Sequence, residues 1–329
     1  MILPYLVRLA CLSLACFFLV HLALAIGMNW LASWVLALAK RSKPNSAARR
    51  LLAARLFPSL AAVLVVAAVC VPSYLWLEPE ATVEHVGLGC LAAALLSVAS
   101  WGIAAGRGLR AIVLSIRYGR YCRKLGCETR LAGENTRVWV IEGAAGLFAL
   151  AGIIHPRLVI SREVLENLSD GELEAALRHE RAHRTSRDNL KRLLLLLVPD
   201  VLPFRVRLLA GLESLERGWA QFTEWAADDR AVGGDSSRSV SLAAALVRVA
   251  RMGAPREASP LMTSLVADGR DLEARVDRLL SATPGGENPR QGRPRLPAAI
   301  VLAAGLFGAV MGGPATLQAA HRLLEHFIR

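Results

Sequence analysis

The sequence predicts an α-helical membrane protein that carries an α+β domain on one side of the bilayer. Three observations lead there. The apolar residues, 54% of the 329, are gathered in long blocks instead of being spread along the chain. The loops joining those blocks differ sharply in charge. Between the third and fourth blocks lies a segment of about 190 residues that mixes strand and helix patterns.

The first block runs from about Leu3 to Ala39, interrupted mainly by Arg8, His21 and Asn29. It is too long for the apolar core of a signal peptide. Ala23-Leu24-Ala25 resembles a cleavage site, but the apolar chain continues past it, so the block reads as a retained span. The second block covers Leu56–Leu77 and the third Val86–Gly106, each long enough for a ~30 Å hydrocarbon layer. A fourth and weaker block, rich in Gly and Ala, covers Leu296–Leu317. The expected organisation is a three-span membrane region over 1–106, a domain over 107–281, a Pro- and Gly-rich linker over 282–295, a fourth span over 296–317 and a short tail over 318–329. Gly102/Gly106 and Gly308/Gly312 have the spacing that permits close helix packing, although glycine frequency alone also accounts for them.

Loop charge sets the orientation. Lys40, Arg41, Lys43, Arg49, Arg50 and Arg55 follow the first block with no acidic residue among them. The next loop carries Glu78, Glu80 and Glu84 and no base, and Arg107, Arg110, Arg117, Arg120, Arg123 and Lys124 follow the third block. The positive-inside rule then makes the first loop and the large domain cytoplasmic, in a multi-pass protein of the cell membrane whose two termini face outward. This also explains the net charge of +12. The bases sit beside apolar blocks, aromatics are few and no nucleic-acid motif accompanies them, so direct nucleic-acid binding is not expected. Six cysteines show no metal-type spacing and read as unpaired thiols, with Cys122 and Cys127 in a reduced compartment.

Within the domain, Arg137–Glu142 and Phe148–Ile160 read as strands, with Phe148–Ile153 a candidate edge strand for an extended peptide. Ser169-Asp-Gly-Glu172 is a capping-box signature that predicts a helix from about Asp170. That helix carries His179-Glu180-Arg-Ala-His183, and 41 residues later comes Glu224-Trp-Ala-Ala-Asp228 on a second predicted helix. Histidines four apart project from one helix face and can share one zinc, with Glu224 as third ligand. Asp228, one turn beyond Glu224, can fix the tautomer of a ligating imidazole. Such a site, with one Zn2+ per chain, leaves a fourth position open to a water whose pKa falls towards roughly 7. Glu180 is placed to take the proton of that water and to pass it to a leaving amine. No Tyr follows His183, and no His before His321, so the oxyanion is left to zinc, to backbone amides or to an arginine, for which Arg230 is the candidate. Leu193–Val198 is too short to span and reads as a core helix or a segment on the membrane surface. Helical patterns continue through Leu242–Arg251 and Leu272–Leu280. His21, His155, Trp219 and Trp225 read as packing residues.

The motifs and topology together resemble the BlaR/MecR-type antirepressor metallopeptidases, membrane zinc peptidases with a cytoplasmic zincin-like (gluzincin) domain. The resemblance includes Gly152-Ile-Ile-His-Pro-Arg-Leu-Val-Ile160, Arg187-Asp188 and Leu272-Glu-Ala-Arg-Val-Asp-Arg-Leu-Leu280. It implies ligands His179, His183 and Glu224, a general base Glu180, a supporting carboxylate Asp228, and a cytoplasmic protein substrate such as a transcriptional repressor. Arg181 stands where leucine is common. The sequence runs twelve residues past Leu317, so the extracellular penicillin-binding sensor of the antibiotic-sensing members is expected to be missing. The alternatives are a quality-control peptidase similar to HtpX or the CAAX prenyl proteases, whose Glu-x-x-Ala-Asp pattern Glu224–Asp228 also fits, and a non-catalytic membrane signalling scaffold. A homodimer is left open.

Overall fold

A computed structural model describes residues 4–77, 86–131, 138–144, 146–200, 210–253, 261–266 and 271–281. The expected linker, fourth span and tail, and the acidic loop with Glu78, Glu80 and Glu84, lie outside these residues.

Three long helices come first. Helix α1 is Tyr5–Lys40. Helix α2, Pro44–Val65, passes through a π-helical turn at Val66–Cys70 into α3, Val71–Leu77. Pro72 has no N–H to donate back into the ladder, and a π turn just before it absorbs that loss without ending the helix. Helix α4 is Leu88–Leu125. All three rods, Tyr5–Lys40, Pro44–Leu77 and Leu88–Leu125, are long and apolar enough to cross a membrane. Helix α4 has 38 residues, about 57 Å of rise, and continues well past the expected end of the third span at Gly106. Hydropathy marks where hydrocarbon ends, not where a helix ends, and no proline follows Gly106 before Leu125 to stop it.

The distal end of α4 lies under a five-stranded sheet. Its strands are β1 (Cys127–Thr129), β2 (Val138–Ile141), β3 (Phe148–Ala151), β4 (Arg157–Ser161) and β5 (Met262–Ser264), in the order β1-β2-β4-β3-β5. Strand β2 is parallel to β4, and the other pairs are antiparallel. Alternation along the strands splits the core in two. Trp139, Ile141, Ala149, Val159 and Met262 pack on Tyr118 and Cys122 of α4. Val138, Phe148, Leu150, Leu158 and Ile160 face the helices on the other side. The stretch Phe148–Ile160, expected as strand, is thus a hairpin of β3 and β4, turning at 152–156. The expected edge strand Phe148–Ile153 is not at the edge: β5 pairs with it through Ala149↔Ser264 and Ala151↔Met262. The segment that covers it lies more than a hundred residues downstream, beyond the reach of local pattern.

The helices of the domain are α5 (Arg162–Asn167), α6 (Asp170–Ser186), α7 (Asp188–Leu197), α8 (Ala210–Val232), α9 (Ser236–Arg251) and α10 (Leu272–Ser281). The predicted capping box opens α6: Ser169 Oγ accepts from the Glu172 N–H and Glu172 reaches back to the Ser169 N–H. The apolar run 193–198 is the end of α7. Leu193 and Leu195 are buried, Leu194 and Leu197 are exposed, and Leu197 lies against Gly108 of α4, where a Cβ would have no room. Helix α8 does not stand apart from the membrane bundle. Its Leu212, Leu215, Trp219 and Phe222 share one apolar cluster with Ala25, Ala32 and Ala39 of α1 and Ala47 and Leu51 of α2. The six cysteines of the sequence are all free thiols, and His21 contacts Ser59 Oγ at 3.1 Å, as a packing histidine should.

Candidate metal centre

Helix α6 lays Ala175 and Ala176 against the sheet and turns its next residues, His179, Glu180 and His183, towards α8. All three are buried, with at most 1% of their surface exposed. Helix α8 supplies Glu224 from the facing side. Its Oε2 stands 3.5 Å from Nε2 of His179 and 3.5 Å from Nε2 of His183. The two Nε2 atoms are 3.0 Å apart, and the three candidate ligand atoms lie within 4.8 Å of one another.

The outer nitrogens decide what this means. Nδ1 of His183 is 2.8 Å from Asp188 Oδ2, and Nδ1 of His179 is 2.9 Å from Asp228 Oδ1. A carboxylate beside each Nδ1 favours a proton on that nitrogen and leaves each Nε2 as the atom that can ligate a cation. Two Nε2 atoms and a carboxylate oxygen therefore converge in one buried space. Neither oxygen of Glu180, nor either oxygen of Glu224, accepts a hydrogen bond from the described residues. The donor set, two imidazoles and a carboxylate, suits zinc, so His179, His183 and Glu224 fit a divalent cation.

With no cation bound, the anions around the site draw protons to the imidazoles, and a divalent cation would take the place of that charge. Burial disfavours charge on His183, but Glu224 and Asp188 outweigh it and raise the imidazole to about 10. Burial likewise works against ionised Glu224, yet His183, His179 and Arg275 hold it well below the usual carboxylate range. Glu180 behaves in the opposite way: burial pushes its carboxyl up to about 7, against the pull of the two histidines. Two carboxyls on facing helices therefore have separated tendencies, one fixed as an anion and one poised to exchange a proton near neutrality.

The sequence expectations for His179, Glu180, His183, Glu224 and Asp228 concern residues that the fold brings to one place. Arg230 is different. Its guanidinium donates to the Ala182 carbonyl and to Ser186 Oγ, and to Asn45 Oδ1 of α2 at 2.7 Å. Six residues beyond Glu224 is about 240° around the helix, so Arg230 leaves the face that Glu224 and Asp228 share.

The arginine that faces the cluster is Arg275 of α10. It makes a two-pronged contact with Asp228, Nε to Oδ2 at 2.9 Å and Nη2 to Oδ1 at 2.7 Å, and its Nη1 is 3.4 Å from Glu224 Oε2. The sequence held a signal for it: Arg275 falls on the face that Leu272, Val276 and Leu279 make apolar, where a charge survives only with a partner. Arg192 of α7 was also missed. It donates to the Met262 carbonyl at 3.4 Å and its Nη2 stands 3.8 Å from Glu224 Oε1, so it joins the site to β5. Asp188 follows the one non-glycine residue with positive φ among those described, Arg187 at φ 54, ψ 43. That left-handed residue ends α6 and starts α7, and the reversal carries Asp188 back to His183.

Residues 122–256 match the family model for Peptidase family M48. The matched segment holds α6 and α8 with all the candidate ligands, and ends before α10. It supports a metallopeptidase hydrolase. No curated protein and no solved structure matches the chain.

Proposed function

We propose that this chain is a membrane-embedded zinc endopeptidase in which His179, His183 and Glu224 hold the metal and Glu180 is the general base. The observation that carries the reading is the convergence of two imidazole Nε2 atoms and the Glu224 carboxylate, with Glu180 buried beside them and accepting no hydrogen bond among the described residues. The M48 match supports the same chemistry. Zinc, when bound, would polarise the scissile carbonyl and acidify a water.

The rest falls to the chain's own residues. Asp188 and Asp228 hold the two imidazoles with their Nε2 lone pairs inward. Arg275 keeps Asp228 and Glu224 ionised and in place. Glu180 takes the proton of the attacking water and delivers it to the departing amine, a transfer suited to a carboxyl poised near neutrality. An extended substrate is expected along the side of β5 that pairs with no strand among the described residues. The Leu265 N–H bonds to the Phe148 carbonyl across the β3 pairing, so residues 262 and 264 turn their backbone groups away from β3, and Arg192 already meets Met262 there.

The domain is read as cytoplasmic from the bases that flank the spans, and the substrate as a cytoplasmic protein under regulatory control, a transcriptional repressor in the pattern the motifs resemble. The second reading, membrane quality control, keeps its support in Glu224-Trp-Ala-Ala-Asp228. The test is a comparison of new protein amino termini in host cells expressing wild type or Glu180→Ala. Termini that depend on Glu180 establish proteolysis, and their parent proteins decide between the two readings. If zinc and protein levels are unchanged and no terminus depends on Glu180, the peptidase reading fails.

A further inference from the structure

We propose that the cleft beside His183 is a subsite for an acidic side chain, glutamate above all, next to the bond that is cut. The inference deepens the peptidase reading and rests on it. The cleft, about 80 Å³, lies between α6, the α6–α7 junction, the β3–β4 turn and β5. His183 forms part of its wall, so a side chain seated there belongs to a residue adjoining the reacting bond.

Three features define what fits. One wall is aliphatic, built from Leu150, Ile153 and Pro156, and accepts a methylene stem. Arg184 and Arg187 also line the cleft, and no acidic residue among those described does. Arg187, exposed and among the residues that line the cleft, holds the left-handed conformation that glycine would take without cost, at about 1 kcal/mol of backbone strain.

Two buried polar atoms complete it. Asn189 is 4% exposed and Thr263 fully buried, yet Asn189 Oδ1 and Thr263 Oγ1 have no hydrogen-bond partner among the described residues. Asn189 is held in register by its Nδ2, which donates to the carbonyls of Leu150 and Gly152 at 3.2 and 2.7 Å. That leaves Oδ1 as an acceptor and the Thr263 hydroxyl as a donor on two residues that line the cleft. A buried unsatisfied polar atom is costly, and a site built to be completed by its ligand explains two of them together. A substrate amide N–H suits Asn189 Oδ1. A carboxylate suits the Thr263 hydroxyl and the Arg187 guanidinium.

The test uses the full-length, zinc-loaded protein in phosphatidylcholine vesicles and a pool of peptides with matched glutamate and glutamine members. Cleaved bonds should carry a glutamate on one side at about tenfold or more over glutamine. Arg187→Ala should reduce kcat/KM for the glutamate peptides about tenfold more than for the glutamine peptides, mainly through KM. Arg187→Glu should shift the preference to lysine. Cleavage with no acidic preference, or an unchanged preference in Arg187→Glu, overturns the subsite. Binding of the same fluorescent peptides to Glu180→Gln separates this outcome from failure of the peptidase reading. Tighter glutamate binding that Arg187→Ala abolishes supports the subsite even without turnover, and equal binding of both peptides overturns it.

Discussion

Asp228 and Arg275, 47 residues apart in sequence, form a buried two-pronged ion pair with oxygen–nitrogen distances of 2.7 and 2.9 Å, directly behind His179. Asp228 is fully buried and Arg275 is 4% exposed. Burial alone would raise the Asp228 carboxyl. Arg275, with help from His179, outweighs it and sets the group at about 2. The pair thus holds an ionised carboxylate 2.9 Å from Nδ1 of a ligand histidine.

Removing Arg275 therefore leaves two buried carboxylates, Asp228 and Glu224, without their cation. Arg275→Met should destabilise the protein by about 3–5 kcal/mol, the usual cost of breaking a buried pair from one side. Arg275→Lys should cost less but lose the two-pronged geometry. Chemical denaturation of the detergent-solubilised protein reads both. In the double variant Arg275→Met/Asp228→Asn the loss should be smaller than for Arg275→Met alone. Additive losses would mean the two residues do not act as a pair.

Asp188 does for His183 what Asp228 does for His179, but from the other side of the Arg187 reversal. Asp188→Ala should weaken zinc binding about 10–100-fold, as is typical when the partner of a ligating histidine is lost. Chelator competition measures the change. Because Lys191 also bonds Asp188, at 2.7 Å, Lys191→Met serves as the control and should move zinc affinity far less. Equal effects from the two would assign the role to the local ion pair and not to the imidazole contact.

Glu180→Gln keeps the shape of a side chain whose two oxygens bond nothing among the described residues. Zinc content and thermal stability should stay close to wild type, while turnover falls by at least about 10²-fold, the usual contribution of a general base. His183→Ala should lose zinc and turnover together. A Glu180→Gln protein that no longer binds zinc would make Glu180 a ligand or a structural residue instead of a base.

How far this site was legible depended on whether its parts were local. His179, Glu180 and His183 share one helix with its capping box, and Glu224 and Asp228 share another, so helical spacing alone groups them. Arg275 and Asp188 stand in segments that carry the resemblance, but their contacts with Asp228 and His183 needed tertiary information. One comes from a distant helix and the other from a break in the helix at a non-glycine residue that no turn rule would select. Arg230 lies six residues past Glu224, and the helix rotates it away towards Asn45. In the fold, hydropathy found the apolar blocks but not that α4 runs on for nineteen residues past Gly106 to Leu125 beneath the sheet. The covering strand β5 is three residues long and carries no pattern of its own.

The packing of α8 on α1 and α2 has a consequence for the protein without its spans. Leu212, Leu215, Trp219 and Phe222 are each at most 7% exposed, and residues of α1 and α2 belong to the cluster that covers them. The fit is close: a Cβ on Gly211 would stand 2.5 Å from the Asn29 carbonyl, and the Gly211 N–H donates to Asn29 Oδ1 at 2.8 Å. Four such side chains returned to water cost about 6–12 kcal/mol, as much as the whole stability of an ordinary domain. A fragment beginning at residue 107 should therefore aggregate or fail to bind zinc, although it holds every candidate ligand. Gly211→Leu in the full chain should act in the same direction on a smaller scale, lowering zinc affinity by wedging α8 away from α1. Both are read by size-exclusion chromatography and metal content. A monomeric, zinc-binding fragment from residue 107 would show that the metal site does not depend on the membrane helices for its support.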